Sequence, residues 1–174
     1  FYNAYGTKVT LIEMMPRILP VEDEEYSALV EKSFKKAGIR VLTKTKATAS
    51  KDLGDKVSLT VEGAASETLE ADVCLVAIGV MPVLPGGIDL KLTERGWLQT
   101  NANYETSVKD IFAAGDIIGP PWLAHVASYE AVQCVEGLFK PGHRPKKVTN
   151  FPGCTYCQPQ VASLGLTETQ AKEK

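Results

Sequence analysis

The chain has 174 residues, 44% hydrophobic and 23% charged, with a formal net charge of −2. That apolar content and low charge exclude an intrinsically disordered polymer and supply one or two packed units. The balance offers nothing for nucleic acid, which wants a strongly basic surface, and no apolar run reaches the roughly 18–20 residues that span a bilayer. Four cysteines are too few for a disulfide scaffold, and residues 1–6 lack the basic start and apolar core of a signal peptide, so a cytoplasmic setting is expected.

Residues 1–6 read as the last turn of a helix closed by Gly6. The charged helical pattern at residues 170–174 carries no closing signal. Both ends are therefore expected to be cuts in a longer protein. Val9-Thr10-Leu11-Ile12-Glu13 reads as a strand buried on both faces. A proline-bearing loop from Met14 to Pro20 leads to a helix over 22–37. Its apolar stripe is Tyr26, Leu29, Val30, Ser33, Phe34 and Ala37, with acids in the first turns and lysines near the last, as the helix dipole favours. Gly38 ends it, and Ile39 to Leu42 forms a second strand. Strand, helix, strand is the unit that feeds a parallel sheet.

Residues 43–70 change character. Lys56 to Glu62 alternates strictly after a turn at Leu53-Gly54-Asp55, and Glu67 to Glu70 follows. This reads as an antiparallel meander with one wet face. Ala71 to Gly79 is again a continuous apolar run, hence a buried strand holding Cys74. Pro82, Pro85, Gly86 and Gly87 mark a boundary. Short strands are expected at Trp97 to Thr100 and at Ile111 to Asp116. A helix over 122–139 is expected to bury Leu123, Val126, Ala127, Ala131, Val135 and Leu138. Residues 141–147 form a linker, and a new unit opens at Asn150.

Some of these residues carry chemistry. Glu13 ends the first strand of a strand–helix–strand unit, where an acid in dinucleotide-binding folds bonds the adenosine ribose hydroxyls. A strand-end carboxylate facing water is the other reading. Gly79 can admit a ligand close to the backbone, or simply end a strand. Asp116 after Gly115 can bond a sugar or ribitol hydroxyl, or cap a turn. His125 stands at the start of a helix, as a packed residue or near a site. Cys154-Thr155-Tyr156-Cys157 reads as two structural cysteines. A redox pair or half of a zinc site are the alternatives, and neither finds its usual context, since the stretch is strand-like and further ligands are missing.

Together the stretches resemble the flavin-dependent pyridine nucleotide–disulfide reductase family. Residues 6–13 with Ile18-Leu19-Pro20 are similar to the second strand of its NAD domain, and residues 72–79 to the last strand. Residues 106–116 resemble its second FAD motif. Leu123-Ala124-His125 with Glu130-Ala131 resembles the helix whose start faces the flavin, and residues 159–168 the entry to the interface domain. The match runs along nearly the whole chain in the family's order.

The resemblance implies an α/β fold. Residues 1–80 would be the later part of a Rossmann-like NAD-binding domain with its antiparallel meander. Residues 81–148 would be the returning central segment that contacts FAD, and 149–174 the start of an α+β interface domain that dimerises. It implies a homodimeric oxidoreductase passing electrons from a dithiol through FAD to NAD. The dihydrolipoamide-oxidising type is the nearest, with components of 2-oxoacid dehydrogenase or glycine-cleavage complexes as partners. A glutathione- or mercuric-reductase type is the alternative, and a non-enzymatic interaction module the reading from another class. The resemblance carries Glu13 to the NAD ribose, Ala47 to the adenine and Gly79 to the nicotinamide nucleotide. It carries Gly115 and Asp116 to FAD, and Leu123, Ala124 and His125 to the flavin's edge. Arg17, four residues after Glu13, leaves the choice of NAD over NADP a preference.

The departures are as informative. The family's C-x-x-x-x-C pair, both phosphate loops and the C-terminal His-Glu pair are not among these residues, and Cys154 and Cys157 do not replace the first. Val80 stands where the family often has Arg, and Gln160 where it usually has Glu. The 174 residues alone are therefore expected to be inactive, to bind cofactor weakly and to self-associate. No catalytic residue and no metal ligand is expected among them.

Overall fold

Thr10–Ile12 (β1) and Arg40–Leu42 (β2) pair in parallel, Leu11 opposite Val41, with helix α1 (Glu24–Lys36) crossing between them. The expected strand–helix–strand unit is formed. The computed structural model describes residues 1–174 and divides them into two units, 1–76 with 152–174, and 77–151.

In the first unit, Glu24 and Glu25 occupy the first turn of α1 and Lys35 and Lys36 the last. Gly38, at φ 85, donates its N–H to Lys35 O and closes the helix. The buried face differs from the expected stripe. Ser27 and Val30 are fully buried, whereas Tyr26 and Leu29 are about half exposed. The Ser27 hydroxyl donates to Ile18 O at 2.5 Å, so an inward serine satisfies a carbonyl of the preceding loop. The core side of the helix thus takes in Ser27 while Tyr26 and Leu29 face outward. Phe34 stays against the core as expected.

The meander is also formed: β3 (Thr45–Asp52), β4 (Val57–Gly63) and β5 (Glu67–Ala71), antiparallel in that order with a bulge between Ala47 and Ala49. Its inward residues are Thr45 and Val61, and β3 is otherwise exposed along its length, so more than one face is wet. Arg40 of β2 reaches the Glu67 carboxylate of β5 with Nη1 and Nη2, which ties the parallel pair to the meander.

The last residues return to this unit. Gly153–Thr155 (β6) and Val161–Ser163 (β7) form an antiparallel hairpin, followed by α3 (Glu168–Lys172) with a Thr167/Gln170 capping box. Val161 completes a core with Ile18, Val30 and Val41. Three polar contacts fix the hairpin and α3 to α1. Ser33 donates to Gln158 O at 2.8 Å, Ser163 to Glu22 Oε1 at 3.1 Å, and Glu168 N to Asp23 Oδ1 at 2.8 Å. Asp23 is the N-cap residue of α1 yet makes no side-chain bond there. Its carboxylate serves α3 instead.

In the second unit, the two short strands expected at 97–100 and 111–116 shrink to isolated bridges, Leu92 with Leu98 and Glu105 with Phe112. Each stretch meets its partner for one residue only; a turn at Gly96 separates Leu92 from Leu98, and the second stretch runs into a 3-10 turn over Gly115–Ile118. Helix α2 (Ala124–Phe139) is present. It buries Val126, Gln133 and Cys134, while Val135 and Leu138 of the expected stripe stand about half exposed. Gln133 can turn inward because its Oε1 accepts from Lys146 N at 3.0 Å. Tyr104 is fully buried and donates its hydroxyl to Lys146 O at 3.3 Å. Burial, followed by the charge of Glu130, pushes its phenol up to about 12.

The largest correction is the run after β5. Residues 72–79 form no ladder, Cys74 is exposed, and Val73, Leu75, Val76 and Ile78 are each more than 70% exposed. A strand buried on both faces needs neighbours, and the parallel sheet here consists of β1 and β2 alone. No helix is long and apolar enough to cross a membrane.

Candidate functional sites

In the first unit the chain leaves β1 at Glu13, which stays within the ladder for one more residue. Glu13 N donates to Leu42 O at 2.8 Å, and Glu13 O accepts from Thr45 N at 3.0 Å. Its half-buried carboxylate turns back on the loop, where Oε1 accepts from Met15 N at 2.8 Å. Lys44 N donates to Met15 O, so the turn after Glu13 is bound to the chain entering β3. Ala47 lies three residues into that strand, exposed, beside the bulge. The topology thus brings Glu13 and Ala47 to one corner, at the carboxyl end of a parallel strand pair. A carboxylate oriented by its own backbone, with a second oxygen left to accept from vicinal hydroxyls, is the group a nucleoside ribose requires.

Arg17 stands in the loop between Glu13 and α1. Its Nη1 donates to Glu24 Oε1 at 3.1 Å, and its Nη2 to Pro20 O at 3.1 Å and Glu22 O at 3.0 Å. Its Nε is buried without a hydrogen-bond partner. Sequence reasoning marked Arg17 only as a cation near Glu13. The seven-residue spacing to Glu24 crosses a loop and an N-cap, which no helical or strand periodicity reports.

In the second unit, Gly115 and Asp116 form the start of the 3-10 turn. Gly115 is buried at φ 77, and its N–H donates to Glu130 Oε2 at 2.8 Å. A Cβ added there would lie 3.0 Å from Ala127 Cβ, so only glycine lets the turn approach α2 this closely. Asp116 is exposed beside it. Leu123 is the extended N-cap residue of α2, with its carbonyl accepting from Val126 N and Ala127 N at 3.0 Å. Leu123 makes no side-chain cap bond, and Ala124 and His125 are the exposed first residues of the helix, so its positive end lies at Leu123-Ala124-His125. Glu130 thus joins Gly115 to the helix behind it. Its partner fifteen residues away could not be read from spacing. Gly79, at φ 124, lies in the exposed run with open space around its Cα.

All four cysteines are free. Cys154 is exposed, while Cys157 is half-buried with its thiol donating to Pro159 O at 3.0 Å. Burial pushes the Cys157 and Cys134 thiols up, away from the thiolate that redox chemistry uses. No three His, Cys, Asp or Glu side chains converge as metal ligands would.

Residues 1–131 match the family described as pyridine nucleotide-disulphide oxidoreductase. The chain belongs to that family. It is 43% identical to a dihydrolipoyl dehydrogenase of Chlorobaculum tepidum, over 98% of this chain and 38% of that one. Against a dihydrolipoyl dehydrogenase of Rhizobium etli the identity is 39%, over 99% of this chain and 37% of the relative. The chain therefore spans under two-fifths of the length of these relatives. Among solved structures, the HOCl-induced flavoprotein disulfide reductase RclA of Escherichia coli superposes with a TM-score of 0.86 at 22% identity, over 99% of this chain and 40% of that one. LpdA of Mycobacterium tuberculosis does so with a TM-score of 0.85 at 24% identity, over 99% and 38%. At those identities the structural likeness speaks for the fold alone.

Proposed function

We propose that these residues are the nucleotide-ribose and flavin-facing part of a dihydrolipoyl dehydrogenase, which oxidises dihydrolipoamide and reduces NAD by way of FAD. The observation that carries this reading is 39–43% identity to proteins of that name along essentially the whole chain. The division into 1–80, 81–148 and 149–174 describes which parent domain each stretch serves: later NAD domain, central FAD-contacting segment, and start of the dimer interface. The parent is a cytoplasmic homodimer, with 2-oxoacid dehydrogenase or glycine-cleavage components as its partners.

The residues fit both cofactors. In the NAD reading, Glu13 accepts from the adenosine ribose hydroxyls, Ala47 borders the adenine and Gly79 admits the nicotinamide nucleotide. In the FAD reading, Asp116 accepts from a ribitol hydroxyl, Gly115 lets that turn sit on α2, and the N-terminus of α2 at Leu123, Ala124 and His125 faces the flavin's edge. When bound, FAD relays an electron pair between dithiol and nicotinamide. The contribution of this chain is positional and electrostatic. Glu13 orients a ribose, and the positive end of α2 favours the negative charge that a reduced flavin gains. The 174 residues hold no C-x-x-x-x-C pair, so the dithiol chemistry lies outside them.

The test is an assay of the protein expressed from the whole reading frame that contains these residues. NADH is expected to form from dihydrolipoamide, and Glu13→Ala to raise KM for NAD about tenfold with kcat little changed, because a binding contact is lost without loss of chemistry. Reduction of oxidised glutathione or of Hg(II), with no dihydrolipoamide activity, would assign the chain to another branch of the family. A folded protein with no redox activity and no bound flavin would favour an interaction module.

A further inference from the structure

The loop after Glu13 carries a cation that the proposed reaction does not use. Four residues place Arg17 within about 14 Å of Glu13 even at full extension, and a guanidinium near a strand-end acid is the group that accommodates a ribose 2′-phosphate. Here it is engaged. Glu24, the first residue of α1, pairs with Nη1 at 3.1 Å, while the carbonyls of Pro20 and Glu22 hold Nη2. The carbonyls orient the guanidinium but leave its charge in place, whereas the Glu24 carboxylate neutralises it. The neighbouring acids are committed elsewhere, Glu22 to Ser163 and Asp23 to Glu168 N.

We infer that Glu24 is a specificity-determining residue: by neutralising Arg17 and holding it on the loop, it keeps the Glu13 corner selective for a ribose 2′-hydroxyl over a 2′-phosphate. This deepens the nucleotide reading of Glu13 and rests on it. Glu24 acts through Arg17 and touches no nucleotide itself. Lys44 and Lys46 also stand near this corner, so the contribution of Arg17 must be isolated by paired variants.

The experiment titrates the protein expressed from the whole reading frame that contains these residues with adenosine 5′-diphosphate and with adenosine 2′,5′-bisphosphate, following amide resonances by NMR. In the wild type, the 5′-diphosphate is expected to shift Glu13, Met15 and Ala47, and the bisphosphate to bind about tenfold more weakly, a gap of about 1.4 kcal/mol. Glu24→Gln is expected to close most of that gap, Glu24→Asp to keep it, and Arg17→Ala combined with Glu24→Gln to restore it. A ratio of two affinities is insensitive to a general loss of stability, which a purely structural role would produce. An unchanged gap in Glu24→Gln overturns the inference. So does a narrowing that persists without Arg17, because it would come from removing the carboxylate's own repulsion. If neither nucleotide moves those amides, the nucleotide reading of Glu13 fails and takes the inference with it. Shifts with the 5′-diphosphate at an unaltered gap defeat the Glu24 inference alone.

Discussion

Tyr104 shows how one buried phenol records its surroundings. It is fully enclosed, its hydroxyl reaches only a carbonyl, and Glu130 adds a negative charge, so the neutral form is favoured and the group ionises at about 12. An unfolded tyrosine ionises near 10, roughly two units lower. The stability that Tyr104 contributes is therefore present in full below about pH 10 and is lost as pH rises from about 10 to about 12, where the unfolded chain releases a proton that the folded chain keeps. Urea unfolding at pH 8 and pH 11 checks this. Tyr104→Phe is expected to cost about 0.5–1.5 kcal/mol at pH 8, the worth of one hydrogen bond, and to flatten the alkaline fall. A variant that loses stability between pH 10 and 12 as steeply as the wild type would show that Tyr104 is not the source of that fall.

The hairpin β6–β7 gains most of its place from α1. Its own ladder is three residues long on each side, too short to persist alone in water. Val161, Ser33 and Glu22 supply what it lacks. Val161→Ala is expected to destabilise the chain by about 2 kcal/mol through the cavity it leaves against Ile18, Val30 and Val41. Chemical denaturation would measure it, and a change below about 0.5 kcal/mol would mean that the hairpin is only loosely seated. Elements with strong local signals were legible in the sequence. The dipole-ordered charges and closing Gly38 announced α1, and the strict alternation from Lys56 announced the meander. What was not legible depended on partners far along the chain. Ser27 turned inward for the Ile18 carbonyl, Asp23 for α3, and Glu130 for Gly115. The position of Glu13 just after β1 was legible because an apolar, β-branched run ends there. The Arg17–Glu24 pair was hidden because loops carry no period.

The run from Val73 to Val83 sets the behaviour of the whole chain in solution. Its sequence carries the apolar content of a central strand, but a central strand is defined by neighbours, and none pairs with it here. Val73, Leu75, Val76, Ile78, Met81 and Val83 stand exposed along one extended stretch. Contiguous apolar surface with unpaired backbone groups favours association. Light scattering across a concentration series is expected to show mass rising above that of one chain, and Ile78→Lys to reduce the rise. A monomer at every concentration would show that the exposed run is tolerated.

The return of residues 152–174 to the unit begun by 1–76 has a temporal meaning. On a ribosome, the valine that seals the space beneath α1 and the β1–β2 pair is made about 120 residues after Val41. At roughly 5–20 residues per second that interval is on the order of ten seconds. Throughout it Val30 and Val41 have no lid, and the nascent chain must be kept from other company until translation delivers one.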